Sequence, residues 1–204
     1  MRKLVAVAVA ALCMSGLSVV GASAQVAKDA SAPAFGLPDV AGKVHQLADY
    51  KGKWIVLEWF NPECPFVKKH YDFSGNMPKL QREYTSKGVI WLSICSSAPG
   101  KQGNFPAAHY AEWANKNHAA QTAILLDPDG KVGKAYGAKT TPHMFVINPD
   151  GKVVYQGAID DKPTPDPKAS AGAVNYVKAA LDAGMAGKPI DPASTASYGC
   201  SVKY

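Results

Sequence analysis

The residues in this sequence best suited to chemistry lie around one cysteine. An apolar stretch of strand type, residues 54–60, leads through a short turn to Cys64, and Pro65 follows directly. Proline is favoured at the first position of a helix, because the N–H that it lacks would have no intrahelical partner there. Cys64 is therefore expected at a helix N-cap, where backbone N–H groups and the helix dipole stabilise a thiolate. The pattern predicts a nucleophilic sulfur, and the alternative interpretation is a buried structural cysteine.

Two other cysteines downstream of the N-terminal segment could pair with Cys64. Val67 occupies the position three residues after Cys64, so there is no C-x-x-C motif. An intramolecular disulfide would therefore need Cys95, at the end of a predicted strand, or Cys200, near the C-terminus. We favour Cys64–Cys200, because the final segment is long enough to reach back, and we keep Cys64–Cys95 as the alternative.

One carboxylate, Glu58, is predicted to lie in the core beneath Cys64. Strand alternation places Glu58 on the same face as Trp54 and Val56. A lone buried carboxylate tends to stay protonated with a raised pKa, which would suit proton exchange with a thiol. The alternative is an ion pair with a neighbouring lysine, since buried charges are usually paired.

Strand patterns alternate with helix patterns along most of the chain, which predicts an α/β fold. The central sheet is expected to be mixed and flanked by helices, with an N-terminal β-hairpin around residues 41–42 and an irregular C-terminal tail. In the last predicted helix, Val174, Val177 and Leu181 form an apolar stripe. The predicted strands span residues 54–60, 88–95, 122–127, 140–148 and 152–156, and the predicted helices span 65–86 (with a break near 74–76), 106–117, 131–136 and 170–183. The carboxyl ends of the strands should carry the site.

The two ends of the chain differ in composition from the domain between them. Residues 1–24 have a basic start, an apolar run and an Ala-Ser-Ala ending, which predicts a signal peptide, and residues 25–33 predict a flexible leader. The domain is assigned to residues 34–184 and the tail with Cys200 to residues 185–204. Export predicts a periplasmic or secreted protein in which disulfides persist. The net charge of +6 is spread along the chain, so neither a nucleic-acid partner nor stable membrane insertion after signal cleavage is expected.

These features together resemble the thioredoxin-like superfamily. They are most similar to its redoxin branch, the alkyl hydroperoxide reductase and thiol-specific antioxidant group, in an exported form with a single active-site cysteine. The resemblance covers about residues 34–184. It implies a cis peptide bond at Pro142 and pairing of substrate with the backbone of Thr141; the alternative is a trans proline at the start of an edge strand. The motifs that carry it are Phe35-x-Leu-Pro-Asp39, Cys64-Pro65, Asp127-Pro-Asp-Gly130, Thr141-Pro142 and Phe145-Val-Ile147, with the ending Tyr198-Gly-Cys-Ser-Val-Lys-Tyr204.

The sequence departs from the peroxiredoxin pattern at two positions. Asn61 stands where peroxiredoxins carry Thr or Ser, and an amide can still donate a hydrogen bond. The arginine that peroxiredoxins bring to the cysteine has no counterpart, because Arg82 is the single arginine after the predicted signal peptide. Losing a charge that stabilises the transition state typically costs several kcal/mol, so peroxidase activity is expected to be slow.

The resemblance and the residues together predict an exported thiol–disulfide oxidoreductase that uses no cofactor or metal. Cys64 is the nucleophile, Cys200 resolves it, and Glu58 completes the catalytic set. Thr141, Pro142, Asn61 and Pro65 are the candidate substrate-binding residues. The partners would be a thiol or disulfide protein, or a small peroxide, together with a periplasmic reductant. The alternatives are a weak thiol peroxidase, a non-catalytic binding module for a partner or Cu(I), and a scaffold with a permanent Cys64–Cys200 bridge.

Overall fold

The computed structural model describes residues 29–204. The predicted signal peptide and residues 25–28 of the predicted leader lie outside the described residues. Among residues 29–204, no helix combines the length and the apolar character needed to cross a membrane.

A five-stranded mixed sheet forms the centre of the molecule. β3 (Ile55–Trp59), β4 (Ile90–Cys95) and β5 (Ala123–Leu126) are parallel to one another. β7 (His143–Ile147) pairs antiparallel with β3, and β8 (Val153–Gly157) pairs antiparallel with β7. The strand order is β5-β4-β3-β7-β8, so β3 is central and buried on both faces. A strand in that position reads as a continuous apolar run. The predicted α/β fold with a mixed sheet is confirmed.

Helices and a small hairpin cover the two faces of the sheet. The helices are α1 (Pro65–Lys68), α2 (Asn76–Thr85), α3 (Ala107–Lys116), α4 (Lys131–Tyr136) and α5 (Tyr176–Met185). Side chains of α1, α2, α3 and α5 pack on the face that carries Val56, while α4 packs on the face that carries Leu57. The predicted N-terminal hairpin is present as β1 (Gly36–Pro38) and β2 (Val44–Gln46), which joins α4 on that second face.

The helix that follows Cys64 contains a π turn. α1 continues without a break into a π-helical segment, Lys69–Phe73, in which the N–H of Ser74 donates to the carbonyl of Lys69. The wide turn leaves Lys69, His70 and Tyr71 all buried, although three successive residues of an α-helix would span more than half of its circumference. π turns inside α-helices are frequent at functional sites.

Two features near the C-terminus differ from the sequence-based expectation. The last helix starts at Tyr176, where the side chain of Asn175 caps it, and Val174 is 54% exposed, so the predicted start near residue 170 and the stripe through Val174 are wrong. The tail is irregular except at β9 (Cys200–Ser201), which pairs antiparallel with β6 (Thr140–Thr141). A two-residue strand gives no periodicity to read in the sequence.

Candidate active site

The turn after β3 places Cys64 as predicted, at the N-cap of α1 with Pro65 as the first helical residue. The N–H of Cys64 donates to the carbonyl of Asn61 at 3.0 Å, which closes the turn. The Cys64 side chain makes no capping hydrogen bond to the helix. It is fully buried and belongs to the same core cluster as Val56 and Phe60.

The sulfur of Cys64 faces the segment that holds the Thr141–Pro142 peptide bond, which is cis. Its thiol donates to the carbonyl oxygen of Thr141 at 3.0 Å, and its Sγ lies 2.7 Å from the Sγ of Cys200. A disulfide bond is about 2.05 Å long, so the two sulfurs are adjacent but not joined. Cys64, Thr141 and Cys200 therefore form one contact group.

The tail carries Cys200 to this place by pairing with the Thr141 segment. Cys200 is opposite Thr141 in the antiparallel β6–β9 pair, and Ser201 is opposite Thr140. Gly199, with φ +131°, lies against Thr141, where a Cβ would overlap the carbonyl oxygen. Only glycine fits this approach without displacing the tail.

The two thiols of the pair do not have the same surroundings. Burial and the adjacent Cys64 raise the pKa of Cys200 to about 12, and Lys203 partly opposes the shift. Cys200 therefore keeps its proton at neutral pH. Cys200 must therefore release this proton before it can act as a nucleophile.

Cys95, the alternative partner of Cys64, makes its contacts elsewhere. Its sulfur accepts a hydrogen bond from the hydroxyl of Tyr110 at 3.3 Å and lies 3.4 Å from the carbonyl oxygen of Gly103. Cys95 is 3% exposed, and neither of the other two thiols is among its described hydrogen-bond partners. Cys200 is the cysteine that lies against Cys64.

Glu58 is fully buried in the core, on the face of β3 that also carries Val56. Burial raises the pKa of its carboxyl group, and hydrogen bonds from neighbouring side chains partly oppose the shift. The donors are the Trp91 indole (2.8 Å), the Tyr71 hydroxyl (2.8 and 2.9 Å), the Ser93 hydroxyl (3.1 Å) and the Gln81 amide (3.3 Å).

The described partners of Glu58 are neutral groups, so the alternative of a lysine ion pair is wrong. Neither Cys64 nor Cys200 is among those partners. The catalytic role of Glu58 stays a prediction. Ser93 offered a signal for this network, since a serine inside an apolar strand, in register with Glu58, marks a polar place in the core.

Asn61 is 2% exposed and its amide shapes the turn. Its Oδ1 accepts from the N–H of Glu63 at 2.9 Å, and its Nδ2 donates to the carbonyl of Gln102 at 3.2 Å. These bonds tie the turn before Cys64 to the loop of residues 97–104. The predicted substrate-binding role of Asn61, like that of Pro65, stays a prediction.

Three further polar residues can be assigned positions. Arg82 is on α2, where its guanidinium donates to the carbonyl of His118 at 2.7 Å, so its charge is not directed at Cys64. His143 is 1% exposed, and burial, with a smaller effect of Lys139, lowers its pKa to about 4. His70 is also buried, and burial lowers its pKa to about 4.

One polar group beside the cysteines was not predicted from the sequence. Lys69 and Asp160 form a buried ion pair, Nζ to Oδ2, at 3.4 Å, and Asp160 accepts a hydrogen bond from the hydroxyl of Tyr198. Tyr198 stands two residues before Cys200. Its place in the tail motif was visible in the sequence, but a contact between residues so far apart along the chain was not.

The AhpC/TSA family matches residues 29–156, which is more than half of the chain. The chain belongs to the AhpC/TSA family. This match confirms the redoxin resemblance read from the sequence.

Individual relatives of this AhpC/TSA protein are distant. The thiol–disulfide oxidoreductase ResA of Bacillus subtilis is 28% identical over 148 residues, 70% of this chain and 76% of the relative. A Mycobacterium tuberculosis protein named as a candidate peroxiredoxin is 30% identical over 139 residues, 60% of this chain and 79% of the relative. A crystal structure of an uncharacterized conserved protein from Geobacillus kaustophilus has a TM-score of 0.75 at 28% identity and covers 88% of this chain and 93% of its own.

Proposed function

We propose that this AhpC/TSA-family protein is an exported thiol–disulfide oxidoreductase in which Cys64 attacks and Cys200 resolves. The observation that carries the proposal is the 2.7 Å separation of the two sulfurs, beside the Thr141–Pro142 segment. The family membership and the ResA relative support a redox function. Among residues 29–204, no group of three or more His, Cys, Asp or Glu side chains is arranged to hold a metal ion.

The reaction is a two-step exchange. The Cys64 thiolate attacks one sulfur of a partner disulfide, a Cys64–partner bond forms, and the other partner sulfur leaves as a thiolate. Cys200 then gives its proton to solvent and attacks Cys64 Sγ, which forms Cys64–Cys200 and releases the second partner thiolate. The partner gains two electrons, the protein loses two, and a dithiol reductant must reopen the bridge. Run in reverse, the same steps would oxidise a partner dithiol.

The test is a comparison of wild type with Cys64→Ser and Cys200→Ser in the reduction of a protein disulfide by dithiothreitol. We expect Cys64→Ser to abolish catalysis. Cys200→Ser that has been reduced, freed of dithiothreitol and mixed with the substrate should still complete the first step and accumulate a mixed disulfide, visible by intact mass. Full activity of Cys64→Ser would refute the proposal. Peptide mass mapping of the oxidised wild type should find Cys64 joined to Cys200 rather than to Cys95.

A thiol peroxidase is the second candidate, and the family and the relative named as a candidate peroxiredoxin favour it. In that case peroxide would oxidise Cys64 to sulfenic acid with release of water or an alcohol, and Cys200 would condense with it, losing a second water. The position of Arg82 disfavours a fast reaction, because its guanidinium, the one that residues 29–204 contain, donates to His118 and is not directed at Cys64. Hydrogen peroxide consumption faster than disulfide reduction by the same preparation would reverse the ranking of the two candidates.

Export is part of the proposal and depends on residues outside the described part of the chain. The sequence of residues 1–24 supports cleavage after Ala24 and release to a periplasmic or secreted location. N-terminal sequencing of the protein recovered from an expressing bacterium should start at Gln25. A preparation that retains residues 1–24 in the cytoplasm would argue against export, without affecting the chemistry at Cys64.

A further inference from the structure

The side chain of Tyr198 is held by the helix that carries Cys64. Its ring centroid is 5.8 Å from that of Phe66, the residue directly after Pro65, and 5.4 Å from the ammonium of Lys69. Its hydroxyl donates to Oδ1 of Asp160 and lies 3.2 Å from Nε2 of His70. The nucleophile's helix and the segment that carries the second sulfur are thus joined beside the reacting pair.

The pocket that receives Tyr198 contains two buried charges. The side chains of Lys69 and Asp160 are both 0% exposed, and the Lys69 ammonium also donates to the carbonyl of Lys162 at 2.7 Å. A buried ion pair recovers little more than its desolvation cost, so stability alone is a weak reason for such a pair. A charge-assisted hydrogen bond to Tyr198, in contrast, gives the tail a strong and directional attachment.

Other contacts hold the tail on both sides of this point. Upstream, the hydroxyl of Thr195 lies 2.8 Å from that of Tyr155 and accepts the N–H of Ala158 at 2.9 Å. Downstream, the N–H of Val202 donates to the carbonyl of Lys139, and the hydroxyl of Tyr204 donates to the carbonyl of Ala138 at 2.8 Å. Loss of the Tyr198 hydroxyl should therefore loosen the Cys200 segment without detaching the whole tail.

We propose that Tyr198 is a positioning residue for the resolving cysteine, with Asp160, Lys69 and His70 as its receptor. The contacts of Tyr198 hold Cys200 against Cys64. They also keep Cys64 inaccessible, since Cys64 is 0% exposed with the tail in place. A partner disulfide can reach Cys64 only after the Cys200 segment moves. The inference rests on the proposed function, because it assigns Tyr198 a role in closing the Cys64–Cys200 bridge.

The first experiment measures how strongly Cys64 and Cys200 pair. The full chain is equilibrated with glutathione: the protein dithiol and oxidised glutathione give the protein disulfide and two reduced glutathiones. The variants are Tyr198→Phe and the matched control Tyr204→Phe, which removes another tyrosine hydroxyl of the tail that donates to the domain. We expect Tyr198→Phe to lower the equilibrium constant about tenfold, as for loss of a hydrogen bond to a charged group, and Tyr204→Phe to change it less than about twofold.

The second experiment measures how well the tail covers Cys64. Cys200→Ser removes the second thiol but leaves the tail lying over Cys64. In this background we expect Tyr198→Phe to speed alkylation of Cys64 by iodoacetamide about tenfold relative to Tyr204→Phe. An anchor that served global stability alone would lower the urea midpoint and leave the glutathione equilibrium of the folded protein unchanged.

Two results overturn the inference, and a third overturns only the proposed function. An equilibrium constant for Tyr198→Phe within twofold of wild type would show that the hydroxyl does not position Cys200. Equal alkylation rates for the two phenylalanine variants would show that the hydroxyl does not hold the cover. Failure of the wild type to form Cys64–Cys200 in any glutathione buffer would instead remove the resolving role of Cys200 itself.

Discussion

Replacing Glu58 tests whether the core beneath Cys64 is organised around one buried carboxyl group. The structure directs the Trp91 indole, the Ser93 hydroxyl, the Tyr71 hydroxyl and the Gln81 amide at this carboxyl group. Glu58→Ala removes their acceptor, whereas Glu58→Gln keeps the shape and one acceptor oxygen but cannot ionise.

The magnitude for Glu58→Ala follows from which donors can find another partner. The Gln81 amide already donates to the Tyr71 oxygen at 2.7 Å, so these two groups keep one bond between them. The Trp91 indole, the Ser93 hydroxyl and the Tyr71 hydroxyl proton lose the acceptor that the structure gives them. At about 1–3 kcal/mol for each of these three buried unsatisfied donors, we expect Glu58→Ala to lose about 3–9 kcal/mol of unfolding free energy.

The magnitude for Glu58→Gln depends on pH. A raised pKa in the folded state means that the folded protein holds a proton that the unfolded chain has released, so the contribution of Glu58 to stability is full below the unfolded pKa and falls as pH rises toward the folded pKa. Each pH unit in that window costs the wild type about 1.4 kcal/mol. Glu58→Gln has no ionisable group at this position, so its unfolding free energy should not fall in this way and should rise relative to that of the wild type as pH increases from 5.

Urea unfolding followed by tryptophan fluorescence at pH 5 and pH 8 measures both effects. Glu58→Ala should be strongly destabilised at both values. The difference between Glu58→Gln and wild type should shift in favour of the variant between pH 5 and pH 8. A constant difference would show that Glu58 does not hold a proton in the folded state, and a nearly neutral Glu58→Ala would refute the network itself.

Three further predictions concern the tail, the acid range and the third cysteine. Gly199→Ala should push the tail off Thr141 and speed alkylation of Cys64 severalfold, whereas Gly187→Ala, with φ +68° and open space around it, should not; equal rates would contradict the close approach. Burial lowers the pKa of His143 to about 4, so the contribution of neutral His143 to stability is lost as pH falls from 6.5. Between pH 6.5 and 4.5, the unfolding free energy of His143→Asn in urea titrations should therefore fall by about 2–3 kcal/mol less than that of the wild type. The exposed His109→Asn serves as its control, and the same acid loss in both variants would remove the assignment to His143. Cys95→Ala should keep the Cys64–Cys200 bridge in peptide mass maps and cost about 1 kcal/mol, and loss of the bridge would reopen the role of Cys95.

The succession of strands and helices along the chain and the position of Cys64 were predictable because they depend on local pattern. Apolar runs, turn residues and the Cys64-Pro65 pair specify strand, turn and helix start without knowledge of distant contacts. The cis bond at Pro142 followed from the family resemblance rather than from the residues, and the pairing of Thr141 with the tail was not predicted. From the sequence, the partner of Cys64 could be either Cys200 or Cys95. The length of chain between the cysteines allowed both pairings and could not decide between them.

The contacts that the sequence did not reveal are those between polar groups far apart along the chain. Lys69 looks like a surface residue in a helix, yet it pairs with Asp160 in the core. Asp160 lies in a segment rich in proline and polar residues, which predicted a surface loop, but it is 1% exposed. Charge and hydropathy patterns assign such residues to solvent, because the partner that makes their burial tolerable lies elsewhere in the sequence.

The π turn of Lys69–Phe73 places one more residue in the helix than a regular α-helical turn would hold. Lys69 and His70 face the tail, while Tyr71 faces Glu58, so the wide turn serves two separate polar groups at once. Deleting one residue here would restore regular helical spacing. It would also rotate either Lys69 and His70 away from the tail or Tyr71 away from Glu58. Among AhpC/TSA proteins, we therefore expect chains that lack a tyrosine two positions before a C-terminal cysteine to align with a one-residue gap at this turn.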